Sequence, residues 1–189
     1  LLDSPPQERS PLETRLTNFD FQAISDAISV ELERDGQVFI LVHRVDLVRE
    51  IAQKVREAFP SVAIAEGHGQ MSETALEREV LGFYSGEKKI LISTSIIESG
   101  IDVSNANTMI IQRADLYGLA QLYQIRGRVG RAARKAYCHL FVPSFSALTE
   151  EARARLSVLQ KFTELGSGFK VAQHDLAIRG GGNLLGPEQ

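Results

Sequence analysis

A chain of 189 residues, 43% hydrophobic and 24% charged, is long enough for one well-packed α/β domain and a smaller appendage. Ordinary apolar content without low-complexity tracts excludes the disordered and fibrous classes. The net charge of −3 provides no overall basic field, so any contact with nucleic acid is local, made by a few arginines and backbone amides.

Along the chain, residues 3–13 (DSPPQERSPLE) are rich in proline and charge and read as part of a linker spanning 1–14. Phe21, Ile24, Ile28 and Leu32 form one helical stripe, ended by Asp35-Gly36. Residues 38–42 (VFILV) are a continuous apolar run, as a strand covered on both faces requires. Val48, Ile51, Ala52, Val55 and Phe59 predict a second helix that stops before Pro60. A short strand follows at 62–65, and Leu76, Val80 and Phe83 mark a third helix. Residues 89–93 (KILIS) and 109–111 predict two more buried strands, Leu119–Arg126 a helix, and Ala136–Val142 a last strand. From about Phe145 the pattern changes: 150–165 is helical, Gly166-Ser167-Gly168 breaks it, and 169–178 is helical again before a glycine-rich tail.

This alternation predicts a mostly parallel, doubly wound α/β sheet with helices on both faces over 15–145, followed by a helical hairpin over 146–189. Ligands gather beyond the carboxyl ends of such strands, which predicts one functional edge formed by the loops after Val42, Ser93 and Ile111. The lone cysteine, Cys138, lies in an apolar run and reads as a buried small hydrophobe; it excludes a disulfide framework and fits a reducing cytoplasm. His43, His68, His139 and His174 have no metal-ligand spacing, and no metal site is expected. No apolar run approaches the roughly 20 residues that span a bilayer, so no membrane is expected. The chain starts without Met and without a targeting pattern, which predicts an excised piece of a longer protein.

The strongest chemical signal is Gln124-Ile125-Arg126-Gly127-Arg128-Val129-Gly130-Arg131. Three arginines so close together are expensive in a core and unnecessary on a surface. Glycine lets backbone approach a ligand, and the guanidinium fork fits phosphate oxygens. Basic runs are usually solvated faces, but such faces seldom alternate Gly-Arg-x-Gly-Arg at a helix end. The second signal, Thr94-Ser95-Ile96-Ile97-Glu98-Ser99-Gly100-Ile101-Asp102-Val103, follows a strand; alone it also reads as a strand, turn and helix cap. Residues 38–44 (VFILVHR) and Gly67-His68-Gly69-Gln70-Met71 support the same register, the latter as a loop entering a helix whose N-terminus favours phosphate. Neither G-x-x-x-x-G-K-[ST] nor a D-E-x-H segment occurs, so these residues should neither hold ATP tightly nor hydrolyse it unaided.

The arginine run resembles the last motif of superfamily 2 helicases, Q-x-x-G-R-x-G-R, and the Thr94 segment resembles their motif V. The resemblance implies the second RecA-like lobe of such a motor, with 1–14 as its interlobe linker. It implies Arg128 and Arg131 as arginine fingers for ATP bound with Mg²⁺ on an N-terminal RecA-like lobe. Gly100, Asp102 and Gln124 would sit at the nucleotide, Asp102 accepting from its ribose. Thr94 and Ser95 would hold a phosphate of the tracked strand of double-stranded DNA, and Arg44 would contact another.

The C-terminal third, with Leu165-Gly166-Ser167-Gly168-Phe169, Asp175-Leu176-Ala177-Ile178-Arg179-Gly180 and Leu184-Leu185-Gly186-Pro187-Glu188-Gln189, resembles the translocation motif of transcription-repair coupling factors and RecG-like helicases. Arg113-Ala114-Asp115-Leu116-Tyr117-Gly118 and Gly181 favour the former family. The resemblance implies Arg155, Arg179 and Gln189 as a network coupling lobe closure to movement, and it implies displacement of stalled RNA polymerase and recruitment of the excision-repair protein UvrA. Arg155 and Arg179 also read as simple hairpin-closing partners of Asp175 or Glu164, and the chain end at Gln189 would cut the motif at its last element. Three alternatives stay open: a RecG-like fork and Holliday-junction remodeller, a DEAD-box RNA helicase, and a non-catalytic interaction module.

Overall fold

Four-residue apolar runs become the centre of the sheet, because a strand covered on both faces has no position for a polar side chain. The computed structural model describes residues 12–94, 101–130 and 134–161. In chain order the elements are β1 (Leu12–Asn18), α1 (Phe21–Glu33), β2 (Val38–Leu41), α2 (Val45–Ala58), β3 (Ile64–Gly67) and α3 (Glu73–Tyr84). They continue with β4 (Ile90–Ser93), β5 (Thr108–Ile111), α4 (Leu119–Arg126), β6 (Ala136–Val142) and α5 (Glu150–Lys161). The strands form one sheet in the order β1-β6-β5-β2-β4-β3, and every adjacent pair is parallel.

Each strand sends alternate residues to opposite faces, so the core divides in two. Val38, Ile40, Ile90, Ile92 and Ile110 pack under α1 and α2 through Ile24, Ile28, Val48, Ile51 and Val55. Phe39, Leu41, Leu91, Met109, Ile111 and Leu140 pack under α3, α4 and α5 through Phe83, Leu122, Ile125, Leu156 and Leu159. The expected α/β architecture with helices on both faces is therefore observed, and Cys138 is fully buried within the second of these cores.

Two boundaries differ from the sequence reading. β1 opens at Leu12, inside the segment 1–14 read as linker, and runs parallel to β6 from Leu12↔Ala136 to Asn18↔Val142. The strand expected at 62–65 forms as Ile64–Gly67, because the Val62 N–H closes a turn onto the Phe59 carbonyl (3.1 Å) and delays the extended backbone. Of the expected hairpin, α5 lies within the described residues and the second helix lies outside them.

Candidate functional site

The carboxyl ends of β2, β3 and β4 open into a shallow groove lined by His43, Arg44, Val45, Asp46, Gln70 and Thr94. Parallel pairing carries these loops to one edge: the Val42 N–H donates to the Ser93 carbonyl (3.0 Å) and the Thr94 N–H to the Gly67 carbonyl (3.3 Å). His43 Nδ1 lies 3.0 Å from Gln112 Oε1, tying the loop after β2 to the one after β5. Arg44 is paired with Asp46 at 3.3 Å, but both side chains are more than half exposed. A pair so well solvated contributes little and leaves the guanidinium available to a phosphate.

Two helix starts adjoin this groove, that of α2 through Val45 and Asp46 and that of α3 through Gln70. In α3, which follows Gly67-His68-Gly69-Gln70-Met71, the Ser72 hydroxyl already accepts from the Ala75 N–H (3.1 Å). α2 has no side-chain cap, and its first residues, Val45 and Asp46, line the groove.

The arginine motif lies elsewhere. α4 runs back along the sheet and carries the Gly-Arg run toward the amino ends of the strands, where the Gly130 N–H donates to the Ala106 carbonyl just before β5 (2.8 Å). The loops after Val42, Ser93 and Ile111 meet at the carboxyl edge as expected, the Gln112 N–H donating to the Leu41 carbonyl (2.9 Å), whereas Asp102 and Arg128 lie near the amino ends, where the chain returns to β5. Those two residues are brought together. Arg128 is half-buried and its Nη1 reaches the Ile101 carbonyl at 3.4 Å, the long end of hydrogen-bonding distance. Asp102 is exposed; its N–H donates to Tyr84 Oη (2.8 Å) and its Oδ1 accepts from the Ser104 N–H (2.9 Å), an Asx turn that fixes the loop. Gln124 is exposed on the last turns of α4.

Arg126, read with its neighbours as too expensive for a core, is in the core, with 0% of its surface exposed. Its Nη1 donates to the Leu159 carbonyl of α5 (2.9 Å) and to Thr14 Oγ1 of β1 (3.2 Å). The guanidinium carbon lies 5.3 Å from the centroid of the Tyr123 ring. Nε and Nη2 have no acceptor among the described residues, and burial pushes the guanidinium pKa down. Leaving a buried cation so incompletely matched costs on the order of several kcal/mol. The sequence carried no signal for this burial, because Arg126 belongs to the same basic run as Arg128.

Arg113 is committed locally. It forms a bidentate pair with Asp115 (2.9 and 2.8 Å), which raises the arginine pKa and holds the Asp115 carboxyl below the usual carboxylate range. Arg155 pairs one turn back along α5 with Glu151 (3.0 Å), a partner the sequence reading had not considered. Ser95, Gly100, Arg131, Arg179 and Gln189 lie outside the described residues.

The chain matches the helicase conserved C-terminal domain family over residues 20–133. It is 50% identical over all 189 residues to the transcription-repair-coupling factor of Myxococcus xanthus, and 48% identical to that of Staphylococcus haemolyticus. The chain spans 16% of the length of each of these relatives. A solved structure of RecG bound to a three-way DNA junction superimposes with a TM-score of 0.77 at 36% identity, over 96% of this chain and 24% of that one. The C-terminal domain of S. cerevisiae Dbp5 superimposes with a TM-score of 0.55 at 20% identity, covering 88% of this chain and 98% of that one, a likeness of fold alone.

Proposed function

This chain belongs to the helicase conserved C-terminal domain family, and we propose that it is the second RecA-like motor lobe of an ATP-dependent double-stranded DNA translocase of the transcription-repair-coupling type. The observation that carries this reading is the meeting of Arg128 with the segment around Asp102. A guanidinium held, among the described residues, by a long contact to a main-chain carbonyl is restrained yet transferable to a phosphate oxygen, as an arginine finger must be.

The donor set fits the outer side of a nucleotide: Arg128 and Arg131 for developing charge on the transferred phosphoryl group, Asp102 as a ribose acceptor, Gly100 for close approach, and Gln124 between nucleotide and interlobe contacts. ATP and its Mg²⁺ would be held chiefly by an N-terminal lobe, since the sequence here has no G-x-x-x-x-G-K-[ST] cradle. Arg44, Thr94 and Ser95 would hold phosphates of the tracked strand at the carboxyl-edge groove. Arg155, Arg179 and Gln189 would connect lobe closure to the hairpin. Displacement of stalled RNA polymerase, recruitment of the excision-repair protein UvrA, and a cytoplasmic location follow from the same reading.

The test is ATP turnover by the full-length protein with and without linear duplex DNA, for wild type, Arg128→Ala and Arg131→Ala. Loss of about a hundredfold or more in stimulated turnover, with ATP binding retained, is expected. Unchanged turnover in both variants overturns the finger assignment. A second reading, remodelling of branched DNA, is favoured by the likeness to the junction-bound RecG structure. Activity confined to forks or junctions, with no displacement of a stalled polymerase, would select it.

A further inference from the structure

The geometry points to Arg126 as a positioning residue that links the arginine-finger turn to α5 and β1, so that movement of the finger is passed to the hairpin and the interlobe connection. This inference rests on the translocase reading above.

Arg126 closes α4, two residues before Arg128, and the same guanidinium nitrogen bonds two elements distant in sequence, β1 through Thr14 Oγ1 and α5 through the Leu159 carbonyl. Its side chain is wholly enclosed, yet among the described residues no carboxylate meets it and two of its nitrogens have no acceptor. A site that needed only volume would be better filled by methionine or leucine, which bring no desolvation penalty. A site that needed only a salt bridge would contain the acid. A fork with some bonds made and others open can instead exchange acceptors as its surroundings shift, which is what a coupling element with two arrangements requires.

The contacts have a direction. Retraction or advance of Arg128 moves the end of α4, and the planar fork, restrained by the Tyr123 ring on one face, drags the carbonyl at Leu159 and the hydroxyl at Thr14 with it. α5 is the helix from which the hairpin expected over 146–189 would start, and β1 is the strand that follows residues 1–11 in the chain. One buried residue therefore touches both parts of the chain that would have to move when the lobes close.

The test uses the full-length protein and compares triplex-strand displacement from linear duplex DNA with duplex-stimulated ATP turnover. Arg126→Met keeps the volume and removes the fork. Its melting temperature is expected to equal or exceed that of wild type, and its ATP turnover to stay within about threefold, while displacement per ATP falls about tenfold or more. Normal displacement per ATP in Arg126→Met overturns the inference. A lowered melting temperature with turnover and displacement falling in parallel overturns it too, since that is the signature of a structural role. Thr14→Val removes one acceptor and leaves the charge; a partial loss of displacement per ATP is expected, and wild-type coupling would overturn the link to β1. If Arg126→Met fails to fold, Thr14→Val and Arg126→Lys decide, the lysine being expected to uncouple because it lacks the fork. A wild-type protein that does not displace a triplex removes the translocase reading itself, an outcome distinct from the failure of Arg126 alone.

Discussion

Gly130 turns with a left-handed backbone (φ 76°) beside Asn107: a Cβ placed on it would lie 3.4 Å from Asn107 Oδ1 and 3.1 Å from the Ala136 Cβ. The turn is fixed in place, because the Gly130 N–H donates to the Ala106 carbonyl. Gly130→Ala therefore strains both backbone and packing, and a loss of about 1–3 kcal/mol in unfolding free energy is expected. Denaturant titration measures it; an unchanged midpoint would show that the turn tolerates a side chain.

A similar close approach closes α1. Glu31 is fully buried, bonded by Arg34 (2.8 and 2.7 Å) and by the Thr108 hydroxyl. A Cβ on Gly36 would fall 1.8 Å from Glu31 Oε2. Gly36→Ala must expel that carboxylate and leave its partners unmatched, which predicts destabilisation on the order of 3 kcal/mol. Thermal melting against wild type checks this, and a variant of native stability would mean that the carboxylate relocates freely.

At the groove, Arg44 is expected to contribute one phosphate contact and no sequence preference. Arg44→Ala should weaken duplex binding by the full-length protein uniformly across sequences, and reduce the slope of log K against log salt by about one. A wild-type slope would remove Arg44 from the interface.

Cys138 is enclosed, and burial pushes its thiol pKa up to about 12. The thiolate is the reactive form, so a disulfide reagent at pH 8 should not label it in the folded protein and should label it fully in denaturant. Rapid labelling under native conditions would mean that β6 opens readily.

His139 lies between Tyr137 and Phe141, with ring centroids 6.1 and 6.4 Å away, and burial first, then Arg15, lowers its pKa to about 4. In the unfolded chain the imidazole takes up a proton near its ordinary pKa of 6.5, while in the folded chain it stays neutral. The unfolded state therefore holds more protons between those values, and stability falls as pH drops from about 6.5 toward 4. His139→Phe should flatten that part of the profile, as read from denaturant midpoints between pH 7 and pH 4. An unchanged profile would assign the slope to other groups.

The central strands were legible in the sequence because a strand covered on both faces must be largely apolar, and residues 38–42 and 90–92 meet that demand. The helices were legible from their stripes, and Gly-Arg-x-Gly-Arg from a combination of residues that packing alone does not call for. β1 was not. Its residues LETRLTN lie at the sheet edge with only Leu12 and Thr14 buried, so the periodic signal is weak, and pairing with β6, far along the chain, makes it a strand.

The sequence by itself determined the layer architecture, the burial of Cys138 and the identity of the chemical residues, since each follows from local pattern and residue type. Only the tertiary structure decided where those residues stand. Topology sent Thr94 and Arg44 to one edge and Asp102 and Arg128 toward the other, and it sorted two arginines of one basic run by the helix end between them. Arg128 meets a loop at the half-buried surface, whereas Arg126 is closed over by α5 and β1. A side chain's environment is set by elements distant in sequence, and no spacing within the run encodes which arginine they will cover.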